Sequence, residues 1–304
     1  GLDGKKAAVA IGIGDKSGLD PDVLQALGDR PIVQLGLRLD GNAVPWDNPD
    51  AAVTVSIPYT PTPAELADPE HIVVWYLDGE GNAVSVPNGK YDPETGTVAF
   101  VVTHFSQYAV AVVHKTFDDI EGFGWAKREI EVMASKGLIK GTSATTYDPS
   151  AHITRADFML LLVRTLGLSG RYEAEADGNF ADVSPLSYYH DTLGLARKAG
   201  VAQGIGDNMF NPLGTITRQD MMVLTTRALA KVKGLEPADA VDAAVELALK
   251  GFLDREEIAD YAAQSVAALI SEGLIQGTDG LMNPNGFTTR AEAAVFLYRV
   301  YNHE

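Results

Sequence analysis

A chain of 304 residues that is 46% apolar and 21% charged is long enough for two or more hydrophobic cores and too apolar to stay disordered. Its formal net charge of −17 sets the long-range field against nucleic acid and anionic membranes, and the absence of cysteine excludes disulfides, thiolate metal sites and cysteine nucleophiles together. No stretch reaches the length of a membrane span, and the opening GLDGKKAAVA has neither the apolar core nor the cleavage site of a signal peptide.

Residues 1–115 read as β. AAVTVSI (51–57), HIVVWYLD (71–78), NAVSVPN (82–88) and GTVAFVV (96–102) are rich in β-branched and aromatic residues, and the turn clusters DGEGN (78–82) and NGKYDPETG (88–96) separate them. Short strands at this spacing predict an all-β, sandwich-like domain. PTPAELADPE (61–70) is a loop with room for one helical turn.

From Phe117 the texture changes to helices alternating with Gly/Asn/Pro loops, and the chain repeats itself three times. Sixteen residues separate Trp125 from Gly141, Tyr188 from Gly204 and Tyr261 from Gly277. Fourteen, fourteen and thirteen then lead to Arg155, Arg218 and Arg290. Each repeat predicts a first helix (about Trp125–Lys136 in the first copy), a stop at Gly137, Gly200 or Gly273, and a loop with an aromatic residue or Met before proline. A second helix starts at a Thr-Arg pair. Thr154 is its N-cap in the first copy, Asp157 stands three residues on as in a capping box, and Ile153 with Phe158 can form a hydrophobic staple. Phe158, Leu161, Leu162 and Thr165 mark its buried stripe. One helix pair buries little by itself, so the three copies are expected to share one core in a pseudo-threefold module. The expected divisions are a β domain at 1–115, repeat one at 116–178, repeat two with a helical linker at 179–249, and repeat three at 250–304.

An arginine in the first turn of a helix opposes the positive end of the helix dipole, yet all three copies place one there. Such an arginine adds a planar fork to exposed backbone N–H groups, which makes an anion site. Trp125, Tyr188 and Tyr261 supply flat apolar faces for a sugar ring, and Gly141, Gly204 and Gly277 let backbone approach a ligand. The structural alternative has Arg155, Arg218 and Arg290 pairing with Asp119, Asp182 and Asp254, merely tying repeats together, with the aromatic residues in the core and the glycines acting as helix stops.

The repeats resemble the S-layer homology family. The residues that carry this are FDD, FADV and FLD; WA, YY and YA; GLIKG, GVAQG and GLIQG; and TRAD, TRQD and TRAE, all in order over about 117–304. The resemblance implies an extracellular bacterial module, placed in the cell wall or S-layer, that anchors proteins non-covalently. It also implies a secondary cell-wall polysaccharide as partner, with pyruvyl-N-acetylmannosamine-type units lying in grooves between repeats and the signature arginines meeting the pyruvyl carboxylate. The alternative is a structural role in which the repeats join neighbouring proteins of a surface lattice. Gln219 departs from the family's usual alanine, and the third copy has Thr288 at the staple position with Phe287 one place early.

Other chemistry is thinly represented. IGIGD (11–15) and GIGD (204–207) are too short for a phosphate cradle, and DGEGN lacks the ligand alternation of a calcium loop. Histidines at 71, 104, 114, 152, 190 and 303 show no metal-ligand spacing, and no catalytic triad motif occurs. No metal, cofactor or enzymatic turnover is therefore expected. One motif stands apart: VTHFSQYAV (102–110) resembles the His-Phe-Ser site of ZU5- and GAIN-type self-cleaving domains. That resemblance implies a single-turnover attack of Ser106 on the Phe105 carbonyl, with His104 as base.

Overall fold

The structure, a computed structural model, describes residues 4–168, 178–235 and 242–303. Its contacts gather into two units, Gly1–Thr116 with Glu131–Lys140 and Phe117–Ile130 with Gly141–Glu304. The first unit therefore recruits a ten-residue segment from beyond the expected boundary at 115. Ser135 and Lys136 hold that segment in place: the Ser135 hydroxyl lies 3.0 Å from His71 Nδ1, and the Lys136 ammonium donates to the Gly89 carbonyl at 3.0 Å.

Two antiparallel sheets form the first unit. The larger runs β1 (Ala7–Ile13), β2 (Ile32–Leu39), β9 (Gln107–Val112), β5 (Ile72–Leu77), β6 (Ala83–Val86), with β3 (Asn42–Val44) pairing on β2. The smaller runs β4 (Val53–Pro58), β8 (Thr97–Val102), β7 (Lys90–Asp92). Alternation along the strands sends Leu35, Ile72, Val74, Tyr108 and Val110 from the larger sheet against Ile57, Val98, Phe100 and Val102 of the smaller, which is a sandwich core. The unit is not all-β, however. Helix α1 (Pro21–Leu27) covers the other face of the larger sheet, where Leu27 packs with Ile32, Val73, Leu77, Ala109 and Ala111. Covered on both sides, β5 has the continuous apolar run IVVWYL. Helix α2 (Pro63–Ala67) is the helical turn foreseen at 61–70, closed by a Thr62–Glu65 capping box.

The second unit alternates short first helices with longer second helices. The first helices are α3 (Lys127–Ser135, shared with the first unit), α5 (His190–Lys198) and α8 (Asp260–Ser271). The second helices are α4 (Arg155–Thr165), α6 (Arg218–Lys233) and α9 (Arg290–Asn302), and α7 (Asp242–Leu249) is the helical linker before repeat three. Gly137, Gly200 and Gly273 end the first helices at φ between 69° and 76°, the left-handed closure glycine permits. Thr154, Thr217 and Thr289 each accept from the backbone N–H three residues on, so all three predicted caps form.

The segments entering the second helices join in a closed ring. Ile153 N–H donates to the Thr288 carbonyl, Thr288 N–H to Ile216, and Ile216 N–H back to Ile153, at 3.0–3.1 Å. The side chains of Ile153, Ile216 and Thr288 are all buried. Thr288 stands where its counterparts are isoleucines, and its hydroxyl has no hydrogen-bond partner among the described residues.

Candidate ligand-binding site

The aspartate of each F-x-D motif turns out to organise a loop. Asp119 accepts from the N–H groups of Tyr147 and Asp148, Asp182 from Phe210 and Asn211, and Asp254 from Met282 and Asn283. Partial burial alone would raise the Asp119 carboxyl, but the backbone donors outweigh it and hold the group below the usual carboxylate range. Asp148, Asn211 and Asn283 adopt positive φ, which asparagine and aspartate tolerate best among residues with a Cβ.

Carbonyls of these loops receive the signature arginines of another repeat. Arg155 Nε donates to the Phe210 carbonyl, Arg218 Nε to Met282, and Arg290 Nε to Tyr147, at 2.8–3.0 Å. Arg155 Nη1 is then 2.7 Å from Asp220 Oδ2, and Arg218 Nη1 is 3.5 Å from Glu292 Oε1. Arg155 and Arg218 do tie repeats together, with the acids of the next Thr-Arg motif as their anionic partners. Among the described residues the ion pairs of Arg155 and Arg218 are with Asp220 and Glu292, while Asp119, Asp182 and Asp254 accept from loop N–H groups and Arg290 still acts on Asp119 through its charge.

The helix N-termini also differ from expectation. The N–H groups of Arg155 and Ala156 donate to the Gly214 and Pro212 carbonyls, those of Arg218 and Gln219 to Gly286 and Pro284, and those of Arg290 and Ala291 to Ala151 and Pro149. With the third N–H taken by the threonine cap, each first turn has its leading donors satisfied internally. They are not exposed for an anion, and the positive end of the helix faces the neighbouring repeat's carbonyls.

The three aromatic residues are outside the core: Tyr188 is 69% exposed, Tyr261 58% and Trp125 56%. Tyr188 donates to Asp157 at 2.7 Å and Tyr261 to Asp220 at 2.8 Å, each reaching the acid of the preceding repeat. Local burial and then this hydrogen bond push both phenols up to about 12, so they stay protonated donors. Trp125 lacks a hydroxyl and makes no such bond; its ring lies 6.5 Å from that of Phe123. Arg155, Asp220 and Tyr261 thus form one constellation drawn from three repeats.

Gly141, Gly204 and Gly277 serve packing first. A Cβ on Gly141 would lie 2.5 Å from the Phe117 ring, on Gly204 2.9 Å from Phe180, and on Gly277 2.5 Å from Phe252, and each would also strike a loop carbonyl. Each glycine seats the phenylalanine of its own F-x-D motif.

A second arginine tier escaped the motif reading. Arg164, Arg227 and Arg299 stand nine residues after the signature arginines, a recurrence that aligning the copies beyond the Thr-Arg pair would reveal. Arg227 lies close enough to Asp220 and Tyr261 for its charge to act on both. Gln219 is explained as well: buried, it donates to Asn285 and accepts from the Ala259 N–H. His104, Phe105 and Ser106 form the short connection between β8 and β9. There the Phe105 ring packs on Trp46, His104 meets Tyr76 edge-on, and no residue has positive φ. The described hydrogen bonds do not join His104 to the Ser106 hydroxyl.

Residues 116–159, 179–222 and 251–294 match the model of the S-layer homology domain. Over 232 residues the chain is 34% identical to an amylopullulanase of Thermoanaerobacterium thermosulfurigenes, covering 76% of this chain and 12% of that protein. It is 30% identical to an S-layer protein of Bacillus anthracis over 191 residues (62% of this chain, 21% of the relative) and 26% identical to the surface-layer 125 kDa protein of Lysinibacillus sphaericus over 214 residues (69% and 17%). The chain therefore spans between 12% and 21% of the length of these relatives. Nothing in these comparisons supports self-cleavage at residues 104–106.

Proposed function

The chain carries three S-layer homology domains, and from that we propose that it anchors a larger bacterial surface protein by holding an acidic, pyruvylated wall polysaccharide in grooves between repeats. It is a cell-surface, cell-wall-associated protein by its domains and its S-layer relatives. The observation that carries the glycan reading is an exposed tyrosine bonded to the preceding repeat's acid in two copies, with the charges of Arg155 and Arg227 acting on Tyr261. A sugar ring stacks on the phenol face, and the cations offset a carboxylate that the net charge of −17 would otherwise repel.

The three repeats act as one module about a pseudo-threefold axis, a reading supported by the closed ring through Ile153, Ile216 and Thr288. Grooves on one rigid body add avidity to weak single sites. An incoming carboxylate competes with Glu292 for Arg218, the longer of the two ion pairs, or takes Arg227, which has no ion pair among the described residues. The N-terminal unit is the spacer between cargo and wall.

Sedimentation with purified cell walls tests the reading, before and after chemical removal of pyruvate. Binding that falls with pyruvate removal and with Tyr188→Ala plus Tyr261→Ala supports it; binding indifferent to both overturns it. A lattice-assembly role has one feature in its favour, the exposed Leu186, Leu213 and Leu253. It predicts self-association in the absence of any glycan.

A further inference from the structure

We propose that the first unit holds a divalent transition-metal ion, of the kind zinc represents, between Asp68, His71 and His114. One potential ligand atom from each lies within 4.8 Å of the others. No sequence spacing announced this, because His114 follows β9 while Asp68 caps and His71 ends the 3₁₀ turn Pro69–His71. In a 3₁₀ turn side chains three apart eclipse, which places the carboxylate and the imidazole on the same side.

The hydrogen bonds around His71 determine what its free nitrogen offers. Nδ1 is 2.8 Å from the Val113 carbonyl, an acceptor only, so Nδ1 carries the hydrogen. Ser135 Oγ, 3.0 Å away, accepts from the Lys115 N–H and completes the cradle. In the neutral ring Nε2 therefore presents a lone pair, and it faces Asp68 Oδ2 at 3.3 Å. Two electron-rich atoms at that distance need a cation between them. A backbone carbonyl on Nδ1 with Nε2 left to bind is the usual second shell of a zinc-ligating histidine. Arms of about 2.0–2.1 Å at a tetrahedral metal also set ligand atoms about 3.3 Å apart.

His71 is buried and anchors the site, while His114 is exposed with its ring stacked 4.4 Å from that of His71. The ion thus has a path from solvent, and water completes its coordination. Bound there, it staples the end of β9 to the turn that precedes β5, the two neighbours at the centre of the larger sheet. Its role is to lock the first unit.

The experiment titrates Zn²⁺ into the full chain, free of any histidine tag, by calorimetry and thermal unfolding, with His114→Gln and Asp68→Asn as variants at an exposed and a half-exposed position. One equivalent is expected to bind, to raise the melting temperature, and to shift the His71 Nε2 resonance while Nδ1 keeps its proton. Each variant is expected to weaken binding at least tenfold. The assignment is overturned by binding that is absent, or equal in wild type and both variants. It is also overturned by a His71 ring that carries protons on both nitrogens and ignores zinc, which would make the cation a proton.

Discussion

Arg155 Nη1 and Asp220 Oδ2 are 2.7 Å apart although 65 residues separate them in the chain. Each opens the second helix of a different repeat, so the contact couples a Thr-Arg motif to the next one. This answers why the chain puts a cation where a helix dipole disfavours it. The unfavourable local charge is offset by a carboxylate and a carbonyl brought in from the neighbouring repeat.

Arg155→Ala takes from the Asp220 carboxylate its ion-pair partner, leaving only the charge of Arg227 beyond ion-pair distance, and from the Phe210 carbonyl its side-chain donor. We expect a loss of about 2–4 kcal/mol in unfolding free energy, read by urea denaturation. Arg155→Lys restores only part, since lysine has one compact ammonium where the arginine reaches the two acceptors with separate Nε and Nη1 donors of a planar fork. A loss under about 0.5 kcal/mol refutes the tie.

Exposed aromatic residues separate binding from folding. Tyr188→Ala and Tyr261→Ala are expected to reduce sedimentation with cell walls several-fold while changing stability by less than about 1 kcal/mol. Matching losses in both readouts would show that these tyrosines only hold repeats together.

Gly277→Ala forces a methyl to 2.5 Å from both the Phe252 ring and the Leu281 carbonyl. Overpacking of this kind costs about 1–3 kcal/mol. Gly204→Ala, at φ +80°, adds about 1 kcal/mol of left-handed strain. Chemical denaturation should rank Gly204→Ala as no less damaging than Gly277→Ala.

Thr288→Val removes the unpaired hydroxyl from the ring that Ile153 and Ile216 complete. The shape is kept and a buried polar group is lost, so stability should rise by about 1 kcal/mol. A fall in melting temperature would mean the hydroxyl is paired in solution.

Burial pushes the Lys136 ammonium from 10.5 down to about 8, against the opposing charge of Glu70. Between those values the unfolded chain keeps a proton that the folded chain has released. Unfolding free energy therefore rises with pH from about 8 to 10.5, and that gain is lost as pH falls back through 8. At about 1.36 kcal/mol per unit the whole rise is about 3 kcal/mol. Subtracting the pH profile of Lys136→Met from that of the wild type should isolate this slope; parallel profiles would show that Lys136 stays charged.

Local chemistry was readable from the residues alone. Capping threonines, glycine stops, the apolar stripe of α4 and the strands at β4, β5, β6 and β8 depend on neighbours within a few positions, and each formed where its residues predicted. The three-copy register likewise required no structure. Partnership was a different matter. Asp119 could not be distinguished from Asp220 as an arginine partner, because ion pairing depends on which carboxylate the folded chain carries to the guanidinium. The approach of Asp68, His71 and His114 to one another was invisible for the same reason, since a sheet brings β9 beside β5 without leaving any spacing rule in the chain. Sequence by itself determined the second-helix caps, the glycine stops and the strands at β4, β5, β6 and β8, because caps and periodicity act over one turn, whereas β1, β2, β3, β7 and α1 emerged only in the folded chain. Only the tertiary structure decided which charges meet, because that follows from the closure of three repeats on one another and of two sheets over one core.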